Sequence, residues 1–156
     1  MSTSTFQLSN NDTVRPATAR VRKLSSKARE LRFCRHCYRH LAGQVGTAIT
    51  QSLLAHGYLL PAPGKQFDVT PDGAEWFNSI GIDVQALKPT RRGLAQQCLD
   101  WTERSPHLAG PLGTELLRVM IDSGWVRHVP LSRNMLITPE GWARLKRHLD
   151  LGRITP

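Results

Sequence analysis

No stretch of this 156-residue sequence offers the roughly 20 consecutive apolar residues that a membrane-crossing helix requires, because charges interrupt every apolar run. Cysteine is scarce: there are three, an odd number that makes a poor disulfide framework. The first residues, MSTSTFQLSNNDTV, lack the apolar core of a secretory signal. Together these absences imply a soluble, reduced, cytoplasmic protein. Missing as well are a nucleophile elbow, a phosphate loop and a dinucleotide fingerprint. His36 and His40 stand four apart, but no HExxH arrangement surrounds them, which excludes a hydrolytic zinc motif. No enzymatic function is expected.

Acidic residues are few, 12 against 21 Lys and Arg, and the formal net charge of +9 favours contact with phosphate backbones or anionic surfaces. The excess is concentrated. Arg15, Arg20, Arg22, Lys23, Lys27, Arg29, Arg32, Arg35 and Arg39 fall in one segment whose sole acid is Glu30. Such a segment is either a solvated helix face or a nucleic-acid contact.

Residues 1–19 are polar, with too few large apolar groups to offset the entropy of ordering, and read as a disordered tail. From Ser25 onward, Leu24, Ala28, Leu31, Cys34, Tyr38, Leu41 and Val45 recur at steps of three and four. That spacing predicts a long amphipathic helix running into the forties. Glycines at 43 and 46 permit a kink there, and a helical pattern resumes from Thr47. Two short strands around PAPGKQ follow, and Thr70-Pro71-Asp72-Gly73 then starts a helix, with threonine as N-cap and proline in the first turn.

The same order recurs. His40-Leu-Ala-Gly matches His107-Leu-Ala-Gly, Gly57-Tyr58-Leu59 matches Gly124-Trp125-Val126, and Val69-Thr70-Pro71-Asp72-Gly73 matches Ile137-Thr138-Pro139-Glu140-Gly141. Ordered landmarks with a length change confined to a loop point to duplication. The expected fold is therefore α+β, mainly helical, with two pseudo-symmetric winged-helix-like repeats (helix, short β-hairpin, helix) behind a long basic helix. Residues 20–80 would hold that helix and the first repeat, 81–97 the connection, and 98–150 the second repeat.

CYRHLAG, the hairpin followed by TPDG, CLDWTERSPHLAG and the final LITPEGW resemble the C-terminal half of a subgroup of ArsR-type winged-helix transcriptional regulators, over roughly Leu31 to Leu149. The resemblance implies that this half carries sensing, dimerisation or both, while a winged-helix domain upstream reads DNA. About thirty residues precede the match, so the usual reading domain is expected to be lacking. Arg39 and Cys34 depart from the family pattern, which has an acidic residue and a small apolar one there.

Three kinds of site follow. For double-stranded DNA, Arg20, Arg22, Lys23, Lys27 and Arg29 would neutralise phosphates, with Lys65 or Arg133 at the hairpin tips. Gln44, Thr47, Gln51 and Ser52, or Thr114, Glu115 and Arg118, are modest base-reading candidates. For a metal or effector, Cys37 and His40 in one repeat and Cys98 and His107 in the other would suit zinc or a similar soft divalent ion if they converge. Structural packing and thiol redox sensing compete with that reading, and Arg104 takes the repeat position of Cys37. Asp100 and Trp101 could line a pocket between the repeats, although such a tryptophan also suits the core. The body is expected to be a homodimer. A sensor or interaction module that does not bind DNA is the competing function.

Overall fold

The computed structural model describes residues 23–156, so the expected tail at 1–19 and the candidates Arg20 and Arg22 lie outside the described residues. The first helix, α1, spans Ser26–Phe33 and is capped by the Ser25 hydroxyl, which accepts from the Ala28 amide. It ends where a much longer helix was expected. Cys34 is extended, Arg35–Cys37 (β1) and His40–Ala42 (β2) pair antiparallel, and the helix Gly43–Ala55 (α2) starts only afterwards.

The reason is a distant partner. The His36 amide donates to the Arg133 carbonyl and the Met135 amide to the Cys34 carbonyl, each through about 3 Å, so the chain after Phe33 is held as strand. The three-and-four spacing of Leu31, Cys34, Tyr38 and Leu41 is compatible with a helix, but tertiary hydrogen bonding overrides such local preference. Tyr38, at φ 55, makes the hairpin turn and is 89% exposed, so it belongs to no buried stripe.

After α2 come the strands Leu59–Ala62 (β3) and Gln66–Val69 (β4), the helix Pro71–Ser79 (α3) and a short 3-10 turn at Val84–Ala86. The second half runs Ala95–Leu99 (β5), Pro106–Ala109 (β6), Gly110–Asp122 (α4), Val126–His128 (β7), Met135–Ile137 (β8) and Pro139–Leu149 (α5). Both halves thus pass through hairpin, helix, hairpin, helix. The first hairpin of each was not anticipated, and β5 begins inside the 81–97 stretch read as connection.

The expectation of a mainly helical body fails. Among the described residues, five α-helices alternate with eight strands in three antiparallel sheets, β1-β2, β3-β4-β5-β6 and β7-β8. The four-stranded sheet joins the halves, because β4 of the first pairs with β5 of the second. No helix among the described residues is long and apolar enough to cross a membrane.

Local chemistry explains the closing helices. Thr70 Oγ1 accepts from the Gly73 amide and donates to the Gly57 carbonyl, and Thr138 Oγ1 does the same with Gly141 and Gly124. A side chain at Gly73 or Gly141 would place its Cβ 2.0 Å from the carbonyl oxygen of Tyr58 or Trp125, which explains glycine three residues after each cap. The core lies between the helices and the sheets. Phe77, Leu53, Leu59, Leu112, Met120 and Leu145 are fully enclosed, and Trp76, Trp125 and Trp142 are buried.

Candidate metal centre

Cys37 ends β1 and His40 begins β2, joined by the two-residue turn Tyr38-Arg39, and the two residues are direct cross-strand partners. Directly opposed residues of an antiparallel pair project from the same face of the hairpin. The β5-β6 hairpin repeats the arrangement, with Cys98 opposite His107. Its loop is longer, since Asp100 to Ser105 stands where the first hairpin has only a tight turn. Counting back from the two HLAG motifs therefore places Arg104 against Cys37 in sequence, whereas the strand register makes Cys98 its counterpart. The second matched cysteine was present, displaced by a loop.

The hairpins meet through their following helices. At Gly113 in α4 a Cβ would lie 3.4 Å from the His40 Cβ, and at Gly46 in α2 a Cβ would lie 3.8 Å from the His107 Cβ. Each half thus presents a glycine to the other half's histidine. Thr50 Oγ1 secures the contact by accepting the Leu108 amide at 2.8 Å. The imidazole centroids are 4.8 Å apart, and one ligand atom from each of Cys37, His40, Cys98 and His107 lies within 4.8 Å of all the others.

Burial sets the electrostatics. His40 is pushed down to about 4, first by desolvation and then by the neighbouring His107. His107 is lowered by desolvation as well, with the Asp100 carboxylate opposing and Arg35 reinforcing the shift. Both rings are neutral at physiological pH and have buried nitrogens without hydrogen-bond partners, Nε2 of His40 and both nitrogens of His107. Unpartnered buried acceptors are costly, and a cation would satisfy them. The Cys98 thiol is raised to about 11 by burial, by the adjacent Cys37 and by Asp100, so a metal would have to displace its proton.

Asp100 is the anchor of the site. Its carboxylate is fully buried and accepts from the Gly43 amide at 2.8 Å, from the Arg35 guanidinium at 3.1 Å to both oxygens, and from Thr102 Oγ1 at 2.7 Å. Burial alone would raise its pKa, but these donors outweigh it and hold the group ionised far below the usual carboxylate range. Asp100 Oδ2 lies 3.2 Å from His107 Nδ1, near but off the line of a full hydrogen bond. A carboxylate behind Nδ1 leaves Nε2 as the ligand, an arrangement typical of zinc-bound histidines.

Two thiolates and two imidazoles form a tetrahedral donor set suited to zinc. Ideal Zn–S and Zn–N bonds imply ligand–ligand separations of roughly 3.3–3.8 Å, so atoms as far apart as the 4.8 Å limit would close by about 1 Å around an ion. Cys34 takes no part: it is buried, with its thiol raised to about 12 chiefly by desolvation.

The other candidates are scattered. Asp100 belongs to the site, but Trp101 is 87% exposed, so it lines no pocket between the halves and fills no core. The DNA candidates Lys23, Lys27 and Arg29 are exposed in or next to α1, and Lys65 is exposed in the β3-β4 turn. Arg133 is exposed in the loop between β7 and β8, where its guanidinium donates to the His36 carbonyl. Thr47 is buried and hydrogen-bonded to the Gly43 and Gln44 carbonyls, which removes it as a base-reading residue. Sequence reasoning missed Arg35 and the Gly43 amide as supports of Asp100. The acid in the loop before HLAG was the signal pointing to them.

No family model and no solved structure matches the chain. Over 135 residues, 85% of its length, it is 38% identical to YdfF, an uncharacterized HTH-type transcriptional regulator of Bacillus subtilis (strain 168). The chain is thus similar to an HTH-type transcriptional regulator and spans 59% of that protein's length.

Proposed function

We propose that this chain is the metal-sensing body of a transcriptional regulator of the ArsR type, non-enzymatic, cytoplasmic and homodimeric, with zinc or a similar divalent ion held by Cys37, His40, Cys98 and His107. The observation that carries this reading is the convergence of one cysteine and one histidine from each of two matching hairpins to within 4.8 Å. Because each half supplies two ligands, an ion would clamp the halves together and bias their relative packing, which is what a sensor requires. The likeness to a regulator supports the setting.

Titration of metal-free protein with zinc, read by elemental analysis and thermal melting, tests the site. One bound ion per chain is expected, with stabilisation of about 2.7 kcal/mol when free zinc is 100 times Kd. Loss of uptake in Cys37→Ser and Cys98→Ser variants is expected as well. Absence of uptake by the unaltered protein would end the metal reading.

DNA contact is proposed through phosphate neutralisation by the exposed Lys23, Lys27 and Arg29 rather than through base reading by the largely buried α2. A mobility-shift titration with random duplex across salt tests it. No binding at low salt would leave a sensor that acts through protein contact.

A further inference from the structure

The two cysteines of the cluster come from different halves of the chain. Cys37 ends β1, Cys98 lies in β5, and each sulfur is a ligand atom within 4.8 Å of the other. Neither is sealed in the core, whereas Cys34, three residues from Cys37, is completely buried with a backbone locked against Met135. Cys37 precedes a two-residue turn and Cys98 a longer loop, so closing the remaining gap requires movement only of hairpin ends.

We infer that Cys37 and Cys98 form a disulfide across the two halves when a peroxide oxidises the reduced protein, and that this bond and the metal exclude one another. The inference rests on the metal reading for its second part only. One sulfur, as thiolate, attacks the peroxide O–O bond; the S–O bond forms, the O–O bond breaks and hydroxide leaves, giving a sulfenic acid. The second sulfur then attacks the first, and the S–O bond breaks with loss of a second hydroxide. The two sulfurs give up two electrons, hydrogen peroxide accepts them, and the two thiol protons and two hydroxides form two waters.

A sulfur engaged in a disulfide is no longer a thiolate, so oxidation removes two of the four ligands at once and leaves only His40 and His107. The crosslink also joins residues 61 positions apart, the difference between 98 and 37, and would restrain β1 against β5 where an ion would otherwise do so. Metal binding and oxidation would therefore give two distinct clamped states of the same body.

The experiment treats the full chain, zinc-loaded and zinc-free, with equimolar hydrogen peroxide. Non-reducing peptide mass spectrometry and a chromogenic zinc chelator supply the readouts. The expected result is a Cys37–Cys98 linked peptide, two hydrogens lighter than the sum of its parts, in both samples, with one zinc released per crosslink from the loaded one. Cys34→Ala should leave the crosslink unchanged.

A Cys34–Cys37 link, separate sulfinic acids on Cys37 and Cys98, or no oxidation would overturn the inference. If the protein takes up no zinc but the Cys37–Cys98 peptide appears, the disulfide stands and the metal reading falls. If zinc binds and remains bound after the crosslink has formed, the mutual exclusion is refuted.

Discussion

Asp100 Oδ2 stands 3.2 Å behind His107 Nδ1 while both oxygens of the same carboxylate accept from Nη2 of Arg35. One buried acid thus links a strand of the first half, the loop of the second and a histidine of the cluster. Replacing it with Asn keeps the shape but removes the charge opposite Arg35. Asp100→Asn is expected to cost roughly 3–5 kcal/mol in denaturant unfolding, as for a broken buried ion pair, and to weaken zinc binding about 10- to 100-fold. An unchanged zinc affinity in a folded variant would show that the carboxylate serves only the fold.

Acid should weaken the metal-free protein in two separate windows. His40 titrates near 4 when folded against 6.5 as an ordinary histidine, so the unfolded chain binds more protons between those values. Stability is therefore complete above about pH 6.5 and declines as pH falls toward 4, and His107 acts in the same direction. Asp100, lowered from 3.8, contributes stability that is retained above that value and lost only below it. Melting curves should show the first decline diminished in His40→Gln and the second in Asp100→Asn. A His40→Gln profile identical to that of the parent would refute the assignment.

Gly113 is expected to tolerate no side chain, because a Cβ would sit 2.5 Å from the Leu108 carbonyl oxygen and 3.4 Å from His40. Gly113→Ala would gain about 1 kcal/mol of helix propensity but should lose roughly 1–3 kcal/mol net through overpacking, and zinc affinity should fall with it. Gly152, with nothing within 4 Å of its Cβ position, is the control. Its alanine variant should stay within about 0.5 kcal/mol of the parent in the same denaturant series.

Charge reversal on α1 separates phosphate contact from site chemistry. If Lys27 and Arg29 each neutralise a phosphate, Lys27→Glu and Arg29→Glu should each flatten the logarithmic salt dependence of duplex binding by about 0.9. Asp68→Asn on β4, which belongs neither to α1 nor to the four candidate ligands, should leave the slope unchanged. Equal slopes in all variants would move the DNA contact elsewhere.

Much of the candidate site was legible before any coordinates. Two HLAG motifs, each preceded by a cysteine, singled out Cys37, His40, Cys98 and His107 as a set, because zinc-type ligands are few and their order repeats. The capped helix starts at Thr70 and Thr138 were equally readable, since the threonine side chain and the proline that follows act within one turn of chain. Short-range chemistry of this kind is written in consecutive residues.

What the tertiary structure decided depends on partners far away in sequence. The stretch CRHCYRH has a spacing that fits a helix, yet it is a hairpin because Arg133 and Met135 supply hydrogen bonds to Cys34 and His36 that no local pattern announces. The equivalence of Cys98 with Cys37 was hidden by a loop insertion that sequence offset cannot cross and strand register can. The composition and motif order of the chain determined which side chains were available for a metal. Only the packing of two glycines against two histidines, and a buried Asp100 satisfied from three segments, determined that they meet.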